Sequence, residues 1–299
     1  MIIDMRYHIA SLVAVFLALG LGILIGSTML GDGLLVAQQK LLIDRLETDF
    51  EKIRTEERDL QAQVAVLEDR VAVDDRFART VLPVLIKDRL YGKQIALVRT
   101  GDAADHRLLK ELTGVLRDAG ANVVSTTYFT QDLETLDQDR RQILAQSLGL
   151  AGAANNLPNE LARGLAASIG RGVASPVMAY LRQHEIIQTS GDFQAPVDAV
   201  IVVGGGLDEK KQGWRSVDLP LIENLQKMGV SVIGVEPEAA KNSYIRPYKQ
   251  KGLSTVDNID MVPGQMALIY TLSAGKRGNF GVKDTARQLM PSPAEGFSY

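Results

Sequence analysis

The sequence predicts an α/β protein in which an N-terminal transmembrane helix and a coiled-coil helix precede a Rossmann-like or flavodoxin-like parallel-sheet domain. Three observations predict it. An uncharged run from Ile9 to Leu30 is long enough to cross the ~30 Å hydrocarbon layer of a bilayer as a helix. A heptad of apolar residues follows it. Beyond Tyr91, short apolar segments alternate with amphipathic ones, as βαβ units do when a parallel sheet is covered on both faces. The expected organisation is a short tail (1–8), a membrane span (9–30), a stalk (34–82) and a globular domain (92–299).

The span is read as retained. A cleaved signal peptide has an apolar region of about 7–15 residues closed by an Ala-x-Ala-like site, and neither feature is present. Flanking positive charge is thin, with Arg6 before the span and Lys40 and Arg45 after it. A short tail and a large following domain fit a signal anchor that leaves residues 1–8 in the cytoplasm and the C-terminal domain outside it, in a single-pass protein of the cell membrane. Within the span Ala10, Ala14, Ala18, Gly22 and Gly26 recur every four residues, and the last two form a GxxxG. Small residues at that spacing let helix backbones approach in lipid, so Ala14, Ala18, Gly22 and Gly26 are a candidate dimer face.

Gly31-Asp32-Gly33 is either a hinge or a weak point in a continuous helix. After it, Ile43, Phe50, Glu57, Val64, Val71 and Ala78 fill the first heptad core position, a. Leu46, Ile53, Leu60, Leu67, Asp74 and Val81 fill the second, d, and the apolar pattern is cleanest between Ile43 and Val71. β-branched residues at a and Leu at d favour two parallel strands. In a parallel homodimer Asp49 would face Arg54 of the second copy and Arg70 would face Asp75, both complementary. Glu57 in the seam is a cost that sets register or oligomer number. At ~1.5 Å per residue, about 40 helical residues would hold the domain roughly 60 Å from the membrane.

In the domain, Gln94–Arg99, Asn122–Thr127, Ala199–Val203, Val230–Val235 and Leu253–Val256 read as strands. Helices are expected at His106–Ala119, Leu133–Leu148, Glu160–Ile169, Pro176–Leu181, Leu219–Met228 and Pro263–Ala274. The first strand ends in Thr100-Gly101-Asp102-Ala103-Ala104-Asp105, with one glycine where a dinucleotide fingerprint has three and two carboxylates that would repel a pyrophosphate. Gly204-Gly205-Gly206, after the strand at Ala199–Val203, stand where α/β sheets place ligands and are either a candidate ligand loop or a plain strand-to-loop turn.

Composition narrows function further. The 33 Lys and Arg against 36 Asp and Glu leave a net charge of −3, so no basic surplus points to nucleic acid. The absence of Cys removes disulfides, thiol nucleophiles and cysteine-ligated metals. No hydrolase, zinc-protease, P-loop or kinase motif occurs, and the chain reads as a non-enzyme. The three His residues are His8, His106 and His184. His106 with Asp102 and Asp105 suggests either a cation site or an N-cap beside an exposed His. Copper(I) prefers thiolate and thioether ligands, and the eight Met residues are scattered, with Met261 and Met266 the closest internal pair. No cofactor, metal or catalytic residue is predicted from the residues themselves.

The run Arg6-Tyr7-His8-Ile9-Ala10-Ser11-Leu12, continuing into Val15 to Gly20 and Gly22 to Ser27, is similar to the N-terminus of the MctB-type copper transporter family. Ser254-Thr255-Val256-Asp257-Asn258-Ile259-Asp260, Gly264-Gln265, Tyr270, Gly281-Val282-Lys283 and Leu289-Met290-Pro291 resemble that family's C-terminal signature. The resemblance covers nearly the whole chain. It implies a bacterial envelope protein connected with copper transport or copper homeostasis and, for some relatives, a role beside a membrane partner in septal cell-wall hydrolysis. Copper enters by resemblance alone, and no copper-binding residues carry over. The expected partners are the membrane, a second copy of the chain, and an unidentified cell-envelope or membrane protein. The reading drawn here is an anchored stalk that presents its domain to such a partner, with copper transport or homeostasis as the alternative and a ligand-binding or enzymatic domain as a second alternative.

Overall fold

The computed structural model of the chain describes residues 5–131, 138–149, 156–209, 213–275 and 277–291. The chain divides between Asp74 and Asp75 into two compact units.

The first unit is the helix α1 (Met5–Ile86) as far as Asp74. Its segment Met5–Ser27 has the length and apolarity to cross a membrane, with a mean hydropathy of 2.6 and none of it buried. Two serines there are answered locally. The Ser11 hydroxyl donates to the His8 carbonyl at 3.1 Å and the Ser27 hydroxyl to that of Leu24 at 3.0 Å, which spares lipid an unpaired donor. The helix runs unbroken through Gly31-Asp32-Gly33. From Ile43 to Val71 the apolar heptad residues stand between 50 % (Val64) and 66 % (Val71) exposed, so none of the described residues covers that seam.

The second unit begins with the last turns of α1 and adds a seven-stranded sheet. The strands are β1 (Gln94–Arg99), β2 (Asn122–Phe129), β3 (Ile187–Gly191), β4 (Ala199–Val203), β5 (Ser231–Val235), β6 (Ser254–Val256) and β7 (Asn279–Phe280). The helices are α2 (His106–Asp118), α3 (Gln138–Ser147), α4 (Leu157–Arg171), α5 (Pro176–Gln183), α6 (Asp218–Lys227), α7 (Ile245–Gln250) and α8 (Val262–Ala274). The strands lie in the order β3-β2-β1-β4-β5-β6-β7, and every pair is parallel except β2 with β3. Counting all strands gives the Rossmann order. The parallel strands alone follow the flavodoxin order, with β3 added antiparallel at the edge. In both counts the chain reverses direction across the sheet between β1 and β4, which sets the switch point.

Alternation along the strands builds two cores. Ala96, Val98, Val200 and Val202 face α4, α5, α6 and α7. Ile95, Leu97, Ile201, Val203, Ile233 and Val235 face α2, α8 and the end of α1. Each fully buried aliphatic side chain contributes about 1.5–3 kcal/mol, which is why a sheet covered on both faces holds strands as apolar as Ala-Val-Ile-Val-Val. Leu82 and Ile86 tie α1 into the second of these cores. Beside them the Arg79 guanidinium donates to Glu111 at 2.7 Å and to Asp75 at 2.8 Å, and these bonds raise its pKa. Pro83 lies inside α1 on the solvent side, three residues before the helix ends.

All five expected strands are present, and β2 runs two residues further than expected. The edge strand β3, the short helix α7 and the two-residue β7 were not anticipated. The first part of the helix expected from Leu133 lies outside the described residues, and α3 occupies the remainder.

Candidate functional site

The switch point is where an open α/β sheet offers a crevice for a ligand. Here the loops that leave β1 and β4 are bonded to each other across it. The N–H groups of Thr100 and Gly101 donate to the Val203 carbonyl at 3.0 and 3.3 Å, and the Ala103 N–H donates to the Gly205 carbonyl at 3.1 Å. A Cβ on Gly101 would lie 2.1 Å from the Gly205 carbonyl oxygen, so the approach needs glycine.

The donors of the Gly204-Gly205-Gly206 loop are drawn into the same closure. The Gly204 N–H donates to the Val235 carbonyl, and Gly206 exchanges two bonds with Asn242, all at 2.9 Å. The Leu207 N–H donates to an Asp102 carboxylate oxygen at 2.8 Å. That carboxylate occupies the Leu207 N–H and puts a negative charge at the loop. Asp105 accepts from the Leu108 N–H at 2.8 Å and caps α2, while His106 packs its ring against Tyr128.

A buried polar cluster underlies the loop. Asp218, at the start of α6, is fully buried and accepts from the Thr100 hydroxyl at 2.9 Å and from the Tyr248 hydroxyl. Burial, then the adjacent Asp218 charge and the bond to it, push the Tyr248 pKa well above its usual value, so Tyr248 acts as a donor. Its ring needs space that two glycines leave. A Cβ on Gly204 would lie 2.2 Å from the Tyr248 hydroxyl, and one on Gly234 would lie 2.3 Å from the ring.

A second cluster closes the ends of β5 and β6. Glu236 follows β5 and has no exposed side-chain surface. It accepts from the Tyr244 N–H at 2.8 Å and from the Lys283 ammonium at 2.7 Å. Lys283 also donates to the carbonyls of Pro237 and Ala240 at 3.2 and 3.1 Å. Desolvation raises the Glu236 pKa against the opposing pull of Lys283. Asp257, after β6, accepts from the N–H groups of Val282 and Lys283 at 2.7 and 3.3 Å. A Cβ on Gly281 would fall 1.9 Å from the Asp257 carboxylate. The C-terminal segment Gly281-Val282-Lys283 is thus a strap held across the strand ends by two buried carboxylates.

Beside these loops lies a cavity of about 160 Å³ lined by Arg99, Thr100, Asp102, Thr130, Gln131 and Tyr244. The Arg99 guanidinium donates to the carbonyls of Ala104 and Phe129 at 2.9 and 3.2 Å, and burial lowers its pKa. Arg99 therefore ties the ends of β1 and β2 together. Among the described residues no three His, Cys, Asp or Glu side chains gather as metal ligands would. His184 stacks on Tyr180, and Met266 packs against the core.

The sequence patterns did not single out Asp218, Tyr248 or Glu236. The one available signal for Glu236 was a lone carboxylate directly after an apolar strand. Lys283 and Asp257 did stand in the C-terminal signature, without a role.

The family model for "Copper transport outer membrane protein, MctB" matches residues 2–291. The chain belongs to the MctB family. Its similarity to named MctB proteins runs nearly end to end. The "Copper transporter MctB" of Mycobacterium tuberculosis is 25% identical over 328 residues, covering 97% of this chain and 99% of that protein. The Mycobacterium bovis protein of the same name has the same identity and coverage. That of Mycobacterium leprae is 26% identical over 330 residues, covering 96% and 98%. In this MctB chain the C-terminal segment that resembles the family is a strap and its buried anchors, and the apolar N-terminal segment is the membrane-length helix.

Proposed function

We propose that this MctB-family chain serves copper transport or copper homeostasis in the cell envelope as an anchored parallel homodimer. The span carries the anchor, with Ala14, Ala18, Gly22 and Gly26 toward the second copy. The stalk pairs through its seam, and the α/β unit stands outside the cytoplasm against a further membrane or cell-envelope protein. What carries the reading is that one helix presents two successive exposed apolar tracts, Met5–Ser27 and the heptad from Ile43 to Val71. A single helix lines no pore, and copper is cargo whose soft ligands are sparse in this chain, so the copper path runs through an assembly.

The test is deletion of the gene in its host, with cellular copper and growth in copper as readouts. Loss should alter both, and the wild-type chain should restore them. Leu60→Asp with Leu67→Asp, which places charge in the seam, should not. Unchanged copper content and tolerance on deletion would overturn the copper reading.

A second reading assigns the chain to septal cell-wall hydrolysis beside a membrane partner. What supports it is the same exposed apolar helix, which can meet a membrane partner, while the buried carboxylates Asp218, Glu236 and Asp257 are taken up by donors of the chain itself. Altered daughter-cell separation with normal copper handling would select it.

A further inference from the structure

The exposed apolar surface of α1 resumes on the globular unit. Counted in the register of Ile43 and Leu46, the seam breaks at Asp74, a d position. Ala78, the next a residue, packs against the chain's own core, and the open face continues with Val81 at d and Leu85 at a. On the neighbouring flank of the helix, position g, stand Phe77 at 68 % exposure and Val84 at 75 %. Leu85 is 42 % exposed. Large apolar side chains at spacings of four, seven and eight residues share one helix face, and an isolated unit leaves this one in water.

The flanking positions indicate what covers it. Along the stalk the g residues are Asp49, Glu56, Gln63 and Arg70, and the e residues are Glu47, Arg54, Gln61 and Glu68. All are polar, as flanks facing solvent and each other should be. At the globular unit the flanks change in turn. Position e keeps Asp75, where it can meet Arg70 of the other copy, and then becomes Leu82, which is 5 % exposed and packed in the chain's own core, while position g becomes Phe77 and Val84. In a parallel pair the g flank of one helix lies against the e flank of the other. There the e flank of a second copy carries that copy's own α/β unit.

We propose that Phe77, Val81, Val84 and Leu85 dock on a second copy of this chain, with Val81 and Leu85 meeting their own twins and Phe77 and Val84 packing on the flank where the other copy's α/β unit is attached. In-register self-pairing favours this occupant over an unrelated helix. Each a or d layer meets an identical layer, so one apolar heptad guarantees two matching faces. The inference rests on the parallel dimer proposed above and extends it from the stalk onto the globular unit.

The chain contains no Cys, so single introduced thiols report contacts without background. The full chain in its native membrane should form a disulfide-linked dimer under mild oxidation when it carries Val81→Cys or Leu85→Cys, because facing core layers bring Cα atoms within the ~7 Å that a disulfide needs. Thr80→Cys, on the outer face, should not. Leu60→Cys reports the stalk separately. If Leu60→Cys links and neither Val81→Cys nor Leu85→Cys does, the inference fails and the stalk dimer stands. If none links, both fail. A link to a protein of different mass assigns the face to another partner and overturns the inference. For the flank, Phe77→Asp with Val84→Asp should raise the dimer dissociation constant of the detergent-solubilised full chain at least tenfold, with Thr80→Asp unchanged. Equal dissociation constants would remove Phe77 and Val84 from the interface.

Discussion

Lys283→Met is the sharpest perturbation of the strap. The substitution leaves an unbranched side chain one atom shorter and removes its charge, so Glu236 is left fully buried with one of its two carboxylate oxygens deprived of its cation. The carbonyls of Pro237 and Ala240 lose the same ammonium. Removing one partner of a buried ion pair costs about 3–5 kcal/mol, because the remaining charge stays desolvated and uncompensated. Glu236 retains the Tyr244 N–H, and the Lys283 side chain is 21 % exposed, which places the expected loss near the lower end, about 3 kcal/mol. Denaturant unfolding followed by the fluorescence of Trp214 reads it, since this is the chain's only Trp and it packs against the core. Glu236→Gln in the same chain removes the stranded charge and should recover more than half of the loss. A loss under about 1 kcal/mol, or a double variant as unstable as the sum of the singles, would refute the ion-pair account.

Three further outcomes follow from the same geometry. Gly204→Ala forces a Cβ against the Tyr248 hydroxyl and the Tyr244 ring and should cost about 1–3 kcal/mol, whereas Gly206→Ala, whose nearest neighbour would be 3.4 Å away, should cost well under 1; equal sensitivity would point to a ligand loop instead. The Glu236 pKa is raised in the folded state, so its contribution to stability is complete below the ordinary value of 4.5 and is lost as pH rises through the folded value. Glu236→Gln should abolish that fall in unfolding free energy as pH rises above 4.5, and an unchanged profile would contradict it. In sedimentation of the detergent-solubilised chain, Leu60→Asp with Leu67→Asp should give monomer where the wild type gives dimer; a wild type that is already monomeric would end the dimer reading.

The parts of the fold that were legible are those whose signal is local. The strands β1, β4 and β5 read as strands because strands buried on both faces are nearly continuous in apolar residues. β3 escaped because Gln-Thr-Ser-Gly after a single Ile is an edge, with its outer side wet. At the site, Asp105 as an N-cap was one of the two roles open to it, and it fills that role. The glycines of 204–206 were visible as a motif, but their cause was not. Gly204 is small because Tyr248, from another part of the chain, places its hydroxyl there to reach Asp218.

The sequence by itself determined the membrane-length helix, the heptad and the α/β class, because periodicities of 2, 3.5 and 3.6 residues depend only on near neighbours along the chain. The tertiary structure alone decided that the switch-point loops bond to each other and that Glu236 and Asp257 hold a strap. Which carboxylate meets which donor follows from the strand order, and the burial that makes those meetings strong exists only once β5, β6 and the C-terminal segment lie side by side.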